Sequence, residues 1–508
     1  MTPHYATTSY GQLRLFVSGA GRPIVVLPGL IHGAAMLAAR LAQAAPDLGW
    51  HVLELPGIGG SAGVPVGRAS EALVAAREAL GLDAAPVLAC DLAAALHDGP
   101  CVRLDATAAA GWAARGIMPP DLAPRADGTH LTALFAHIRD RHVLDPADPG
   151  RAARAGEKLP DAAELDSTVV AAAVDPVAYA ALWRRCLSAP SPGAADTAAA
   201  IAALRAMAGP DATTTLPPTQ PRPPLWCDHA DLPRGRQHLR RAGSQGRLLI
   251  ALQSAPGTAA PLAPLLAGLA PIRRVVAPDY IGNGDSARPD HPVDIARLAR
   301  DTLDLADALG ERTFDLWGTH TGALIALEAA LLAPERVGRL ILEAPPLLAP
   351  EFTADILANY LPKLRPHPWG LHLQQAWCMR RDMFLFWPWY RAERAAARPL
   401  TLPDAAFLHD WTVGLLKSGS TYDHSYRAAF EYDTSAALRR LTRPALLCAG
   451  PADMLADGLA VAATLAPDVL TVAPMPATVW YPNQGTAAIA RTIAAYAAFL
   501  DEGMVARS

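Results

Sequence analysis

The stretch that decides the fold prediction is FDLWGTHTGALIALEAALLAPERVGRLILEAP, residues 314–345. It contains two short apolar runs, FDLWG and GRLILEA, separated by the long apolar stretch ALIALEAALL. Apolar runs of this length on either side of a helical segment are typical of buried parallel strands in a βαβ unit. The turn Gly318-Thr319-His320-Thr321-Gly322 joins the first strand to the helix. We therefore predict an α/β fold with parallel-dominated sheets flanked by helices.

The length, charge and composition of the chain exclude several classes of protein. The chain has 508 residues, more than one ordinary domain, and 44 basic against 48 acidic residues give a net charge of −4. This balance argues against a nucleic-acid-binding surface. No apolar run approaches the roughly 18 residues that span a membrane, and the first residues do not resemble a secretory signal. Six scattered cysteines indicate reduced thiols. We expect a cytoplasmic protein with no nucleic-acid or membrane partner and no metal or cofactor.

Two parts of the chain follow the same plan. GQLRLFVSGAGRPIVVLPG from Gly11 and GRQHLRRAGSQGRLLIALQSAPG from Gly235 both predict a strand, a glycine turn and an apolar strand. A third strand with a glycine-rich exit follows in each, as HVLELPGIGGS and RVVAPDYIGNGDS. A later match has one constant offset of 242: Gly128, His130, Leu131, Phe135, Arg139, Asp140 and Pro146 correspond to Gly370, His372, Leu373, Trp377, Arg381, Asp382 and Pro388. These matches predict a tandem duplication.

The two copies are predicted to differ in completeness. Only AALHDGP separates the turn of the first copy from its next strand, CVRLDA, which is too short for a covering helix. We predict a degenerate unit over residues 1–187 with a helical cap at about 120–187. A Pro-rich segment, a helix plus linker, is expected over 188–234. The complete unit is expected over 235–503, with a cap at about 350–435.

The second copy resembles the α/β-hydrolase superfamily from about Gly235 to its end. The resemblance rests on the loop LQSAPG, the turn APDYIGNGDS, the GTHTG turn, the post-strand AGPAD and the helical insertion. It implies a strained turn that projects the middle residue of G-x-S-x-G into a pocket. That middle residue is His320 here, while Gly318 and Gly322 keep the small flanking positions. The family's usual serine acyl-enzyme is therefore not implied.

The resemblance also places the other catalytic positions. Asp453 stands where the family has its acid, after a strand. No histidine occurs between Thr471 and Gly485, where the family's catalytic histidine would lie, and Trp480 and Tyr481 are there instead. We expect His320 to act as general base or nucleophile with Asp453 as its partner. The backbone amides expected to stabilise an oxyanion are those of Gln253, Ser254 and Thr321.

The predicted cap, GLHLQQAWCMRRDMFLFWPWY and the helices after it, supplies candidate substrate contacts. Arg381 could bind a substrate carboxylate, or it could form an internal salt bridge with Asp382; both interpretations stay open. The candidate contacts are His372, Trp377, Arg381, Asp382 and His409, and His409 or His372 could also replace the missing histidine.

Asp91, in the sequence VLACDLA, occupies the corresponding turn of the first copy. An aspartate nucleophile occurs in some family members, but alanines replace both turn glycines and no acid–histidine pair is expected to follow. We therefore expect a structural role for Asp91. The overall hypothesis is a hydrolase or related lyase acting on an ester, lactone or similar small, partly apolar carbonyl compound. The alternative is an inactive ligand-binding or scaffold protein, and the oligomeric state stays open.

Overall fold

The computed structural model describes residues 1–153, 159–187, 196–207, 215–289 and 291–501. The chain divides into two compact units. Unit 1 comprises Met1–Arg222 and the segment Pro366–Gln374, and unit 2 comprises Pro223–Arg365 and Gln375–Ser508. Among the described helices, no single one is long and apolar enough to cross a membrane. One bent pair, Ala162–Ala173 with Pro176–Leu187, has the length and composition of a membrane span when its two helices are taken together.

Unit 1 contains a six-stranded sheet of order β1-β2-β4-β3-β5-β6 and a small two-stranded sheet, β7-β8. The strands are β1 (Thr2–Thr8), β2 (Gly11–Ser18), β3 (Pro23–Leu27), β4 (Gly49–Leu53), β5 (Val87–Cys90), β6 (Val102–Leu104), β7 (Leu144–Asp145) and β8 (Asp148–Ala152). The helices are α1 (Ala34–Ala44), α2 (Ala69–Ala79), α3 (Ala106–Ala114), α4 (Thr129–Val143), α5 (Ala162–Ala173), α6 (Pro176–Leu187) and α7 (Thr197–Ala206).

Unit 2 contains an eight-stranded sheet of order β16-β15-β14-β13-β11-β12-β10-β9. The strands are β9 (Leu225–Leu232), β10 (Gly235–Ala242), β11 (Leu248–Leu252), β12 (Arg274–Pro278), β13 (Phe314–Thr319), β14 (Val337–Glu343), β15 (Ala445–Ala449) and β16 (Leu470–Pro474). The helices are α8 (Ala263–Leu269), α9 (Ile295–Ala308), α10 (Thr321–Leu332), α11 (Pro350–Asn359), α12 (Leu371–Leu385), α13 (Ala405–Leu416), α14 (Tyr422–Glu431), α15 (Thr434–Arg439), α16 (Leu459–Ala463) and α17 (Thr486–Asp501). The first four residues of α12, up to Gln374, belong to unit 1.

The centre of unit 2 is the strand and helix predicted from residues 314–345. Strand β13 pairs in parallel with β11 on one side and with β14 on the other, and all six of its residues are buried. Helix α10 is apolar around most of its circumference and is buried along nearly its whole length. A helix of this composition is stable only when it is covered on all sides. The predicted parallel-dominated α/β fold is confirmed.

Both sheets share the order of their first six strands, which agrees with the predicted duplication. In each unit, the second strand along the chain also carries a buried arginine or histidine. Its side chain binds an acidic residue that directly follows the fourth strand. Arg14 binds Glu54 at 2.8 Å in unit 1, and His238 binds Asp279 at 3.0 Å in unit 2. The first copy lacks counterparts of β15 and β16 among the described residues, so its sheet is the smaller one.

The cap helices α4 and α12 repeat each other in detail. Each has 15 residues, and the histidine near its start binds the backbone of the loop before it. His130 Nδ1 accepts a hydrogen bond from the amide of Arg125 at 3.1 Å, and His372 Nδ1 accepts one from the amide of His367 at 3.0 Å. Both pairs are separated by the offset of 242 found in the sequence. The local structure therefore repeats where the sequence match is sharpest.

The segment 188–234, predicted as a helix plus linker, contains the expected helix, α7, and in addition a strand that was not expected, β9. Helix α7 packs Ile201 and Leu204 into the core of unit 1, because their spacing places them on one face. Strand β9 adds an edge to the sheet of unit 2. The boundary between the units falls at Arg222, and residues 188–195 and 208–214 lie outside the described residues.

Candidate active site

The turn between β13 and α10 has the strained geometry expected from the sequence. His320 has φ 48° and ψ −113°, a conformation that non-glycine residues rarely adopt. Its amide donates to the carbonyl oxygen of Glu343 at 3.0 Å, which ties the turn to β14. Strain of this kind persists only where the surrounding structure enforces it, and it clusters at functional sites. The turn projects the imidazole from the carboxyl end of β13.

The flanking glycines are required by close approach. A Cβ atom at Gly318 would lie 2.2 Å from the carbonyl oxygen of Gly322. A Cβ atom at Gly322 would lie 2.0 Å from the carbonyl oxygen of Leu252, the last residue of β11. Both distances are far below van der Waals contact with backbone atoms that cannot swing away. The turn therefore brings the start of α10 directly against the end of β11.

Asp453 lies after β15 and binds the imidazole of the turn. His320 Nε2 and Asp453 Oδ2 are 2.9 Å apart, and the carboxylate is fully buried. Its other oxygen accepts the amide of Leu455 at 2.9 Å. Burial alone would raise the pKa of Asp453, but the charge and hydrogen bond of His320 outweigh it and hold the pKa below its ordinary value. The ionised carboxylate therefore selects the tautomer with the proton on Nε2.

Ser254, in the loop after β11, faces the other ring nitrogen. Its Oγ lies 3.3 Å from His320 Nδ1, and the hydroxyl also reaches the carbonyl oxygen of Ala255 at 3.4 Å. Because Asp453 accepts the Nε2 proton, Nδ1 carries the lone pair and can accept the serine proton. A hydroxyl, an imidazole and a carboxylate are thus in hydrogen-bond contact in this order. Only the backbone amide of Ser254 was expected to contribute to the site, because the direction of a side chain in a loop cannot be inferred from sequence spacing.

Trp480 follows the last strand, at the position where the family has its catalytic histidine. Its ring meets that of His320 edge to face at 5.3 Å between centroids. Its indole nitrogen donates to Glu343 Oε2 at 3.0 Å, and Tyr496 donates to Glu343 Oε1 at 3.0 Å. Burial, reinforced by the nearby charge of Asp453, raises the pKa of Glu343. Glu343 was not among the residues expected at the site from the sequence. A glutamate at the end of an apolar strand could have indicated a buried acid there.

A cavity of about 360 Å³ adjoins the serine. Its wall includes Gln253, Ser254, Arg380, Asp410, Trp411 and Trp480. Two aromatic rings and several polar side chains thus line the same cavity.

Arg380, rather than Arg381, lines this cavity. Arg380 is 3% exposed; its Nη2 donates to Pro256 O at 2.6 Å and its guanidinium lies 4.8 Å from the Trp411 ring. Burial lowers the pKa of Arg380 to about 10, so it remains a cation at neutral pH. Among the described residues, no carboxylate forms an ion pair with it. Arg381 binds Asp382 at 3.0 Å, and its side chain is 40% exposed. We therefore transfer the expected substrate contact from Arg381 to Arg380.

Helix periodicity explains this one-residue difference. Trp377 and Arg380 are buried with Phe384 on one face of α12, at spacings of three and four residues. Arg381 follows one residue later and lies about 100° further round the helix.

The remaining cap candidates do not join this cavity. Trp377 is buried in the cap, and His409 is buried on α13 beside the cavity residues Asp410 and Trp411. His372 belongs to unit 1, where its Nε2 lies 2.6 Å from Asp166 Oδ1. Because this bond and the His367 amide occupy both of its ring nitrogens, His372 is committed within unit 1.

The corresponding turn in unit 1 carries a buried carboxylate. Asp91 has φ 39° and begins a 3-10 helix, Asp91–Leu96, in place of the long helix of the second copy. Its carboxylate accepts the amides of Leu30, at 3.1 Å, and Leu92. Burial raises the pKa of Asp91 to about 6 despite these bonds. The truncated helix is confirmed.

An acid–histidine pair lies near this turn, contrary to expectation. His32 Nε2 and Asp105 Oδ2 are 3.1 Å apart. Burial lowers the pKa of His32, but the hydrogen bond to Asp105 and the charge of Asp91 raise it above its ordinary value. Sequence spacing does not reveal this pair, because the two partners are 73 residues apart and the histidine precedes the turn.

One group of side chains has the composition of a metal site. His238, Asp279 and Asp285 bring their ligand atoms within 4.8 Å of one another. Asp279 already accepts His238 and the amides of Ala259 and Asp285, and Asp285 binds Lys417 at 2.7 Å. These bonds satisfy the carboxylates within the protein, so we assign the group a structural role.

Comparison with known proteins identifies the class of the second copy. Residues 248–497 match the family model described as alpha/beta hydrolase fold. This part of the chain belongs to the α/β-hydrolase fold family, as the strand order and the strained turn indicate.

Individual relatives are similar over shorter stretches. A 2-hydroxymuconate semialdehyde hydrolase of Pseudomonas putida is 41% identical over 90 residues, 17% of this chain and 32% of that protein. Matches to curated relatives thus span about a third of their length. The enol-lactonase of Burkholderia xenovorans LB400 aligns with 54% of this chain and all of its own, at 21% identity and a TM-score of 0.43. Epoxide hydrolase A of Mycobacterium thermoresistibile aligns with 55% of this chain and 98% of its own, at 23% identity and a TM-score of 0.44.

The close approach at the turn gives a stability prediction. Replacing Gly322 by alanine should destabilise the protein by roughly 3 kcal/mol, because the added Cβ forces α10 away from the Leu252 carbonyl. Gly485→Ala is the matched control, since nothing lies within 4 Å of a Cβ there. Urea unfolding of both variants measures the difference. Equal stabilities would contradict the requirement for glycine.

The buried carboxylate of unit 1 gives a pH prediction. The pKa of Asp91 is about 6 in the folded protein and 3.8 for the free group, so the folded state binds the extra proton between these values. The contribution of Asp91 to stability should therefore fall as pH rises from 4 to 6, by at most about 3 kcal/mol. Asp91→Asn should flatten this dependence, and the exposed control Asp98→Asn should not. Urea unfolding across this pH range tests it; parallel curves for wild type and Asp91→Asn would refute it.

Proposed function

We propose that the chain is a hydrolase of ester, lactone or related carbonyl compounds in which His320 is the general base. The observation that carries the proposal is the contact of His320 Nε2 with Asp453 at 2.9 Å on a strained turn. An ionised acid that holds the imidazole in one tautomer leaves the opposite nitrogen free to take a proton. The start of α10 disfavours a positive charge, which also suits a base that is neutral at rest.

A substrate with a carboxylate fits the cavity best. The Arg380 guanidinium is buried, forms no ion pair among the described residues and faces the same cavity as Ser254. A buried cation costs free energy unless an anion offsets it, so a bound carboxylate supplies what the protein does not. Asp410 in the same wall disfavours a second negative charge nearby. The name of the Pseudomonas putida relative, with its muconate group, also specifies a carboxylate-bearing substrate.

The role of His320 predicts a large loss of turnover. His320→Ala should lower kcat on p-nitrophenyl esters by 10²- to 10⁴-fold, the usual effect of losing a general base, with little change in Tm. Release of p-nitrophenol measures the rate.

His291→Ala, at an exposed histidine outside the site, is the control and should keep the parent rate. If His320→Ala hydrolysed the esters as fast as the parent, the general-base assignment would fail and the ligand-binding alternative would stand.

The role of Arg380 predicts a specificity change. Arg380→Lys keeps the charge but loses the planar fork that grips a carboxylate. We expect kcat/KM for mono-p-nitrophenyl succinate to fall by about tenfold relative to neutral p-nitrophenyl acetate. The adjacent variant Arg381→Lys is the matched control, because its side chain binds Asp382 outside the cavity. An equal ratio for both variants would remove the carboxylate from the proposal.

A further inference from the structure

We infer that the hydroxyl of Ser254 is the nucleophile, attacking from the loop after β11 while the strained turn supplies the base. This inference rests on the proposed role of His320. It departs from the arrangement expected from the sequence, in which the side chain on the turn attacks. The contact that carries it is the 3.3 Å distance between Ser254 Oγ and His320 Nδ1.

The position of the hydroxyl meets the two requirements for a nucleophile. It must touch a base that is itself oriented, and His320 is held by Asp453 through its opposite nitrogen. It must also reach bound substrate, and Ser254 lines the 360 Å³ cavity together with Arg380. A serine in contact with both the base and the cavity is therefore placed for attack.

Thr258, another hydroxyl in the cavity wall, does not meet the first requirement. Its Oγ1 accepts the amide of Ala260 at 3.4 Å and makes no hydrogen bond to a histidine among the described residues. The comparison leaves Ser254 as the hydroxyl with an adjacent base.

The reaction can be written with these groups alone. Ser254 Oγ attacks the carbonyl carbon of the ester as its proton passes to His320 Nδ1. The tetrahedral intermediate expels the alcohol, which takes the proton from Nδ1, and an acyl-Ser254 remains. Water then attacks the acyl carbon and gives its proton to Nδ1, and Ser254 leaves with that proton as the acid is released. One ester and one water yield one acid and one alcohol.

The neighbouring helix offers donors for the oxyanion. Among the described residues, the first two amides of α10, those of Thr321 and Gly322, have no acceptor within the helix, whereas the amide of Ala323 donates to the carbonyl oxygen of His320 at 3.0 Å. Amides at a helix start favour negative charge and can stabilise the tetrahedral intermediate. The predicted use of the Thr321 amide is compatible with attack by Ser254.

The test is covalent capture of the serine in the full chain. A fluorophosphonate forms an Oγ–P bond with an activated serine while the P–F bond breaks and fluoride leaves. We expect one phosphonyl group per wild-type molecule by intact mass, located at Ser254 by peptide mapping. Ser254→Ala should acquire none, and His320→Ala should label at least 100-fold more slowly. Thr464→Ala, which removes an exposed hydroxyl, should label like wild type.

Ester turnover separates this inference from the proposed function. We expect Ser254→Ala to lose at least 100-fold in kcat with an unchanged Tm, since the long hydrogen bonds of its hydroxyl contribute little to folding. No label on wild-type Ser254, or full turnover by Ser254→Ala, would overturn the inference. If His320→Ala were still impaired in that case, His320 would act on water and the proposed function would survive. If His320→Ala were fully active, the proposed function itself would fail.

Discussion

The 2.0 Å approach that a Cβ of Gly322 would make to the Leu252 carbonyl shows how tightly α10 is pressed against the end of β11. Because no side chain separates them, the loop after β11 comes within reach of the turn before α10. Ser254 and His320, 66 residues apart in the chain, meet there. A larger residue at either turn glycine would separate the groups on which the proposed chemistry depends.

The site has the backbone framework of the family, but other side chains occupy two of its three catalytic positions. The turn carries an imidazole, the acid stays after β15, and an indole fills the corner after the last strand. Trp480 is fixed by Glu343, whose backbone also binds the amide of His320. The acid that anchors the indole therefore also helps to hold the strained turn. Where the family has its histidine, Trp480 thus provides a fixed aromatic wall beside the imidazole of His320.

Much of the architecture could be predicted because it rests on local patterns. Apolar runs located the strands, and two glycines with a post-strand acid located His320 and Asp453. The remaining site residues could not be predicted, because they depend on the directions of side chains, which sequence spacing does not determine. The choice between Arg380 and Arg381 required knowing which face of α12 is buried, and the hydroxyl of Ser254 lies in an irregular loop. The His32–Asp105 pair, like these, appears only when distant segments fold together.

The segment Pro366–Gln374 belongs to the sequence of the second copy but to the compact body of the first. His372 in this segment bonds Asp166, 206 residues earlier in the chain. A chain without residues 1–222 would therefore keep His372 but lose its partner Asp166. The first turn of α12 would also lose the compact body to which it belongs, so unit 2 cannot be separated from unit 1 by a single cut without disturbing this helix.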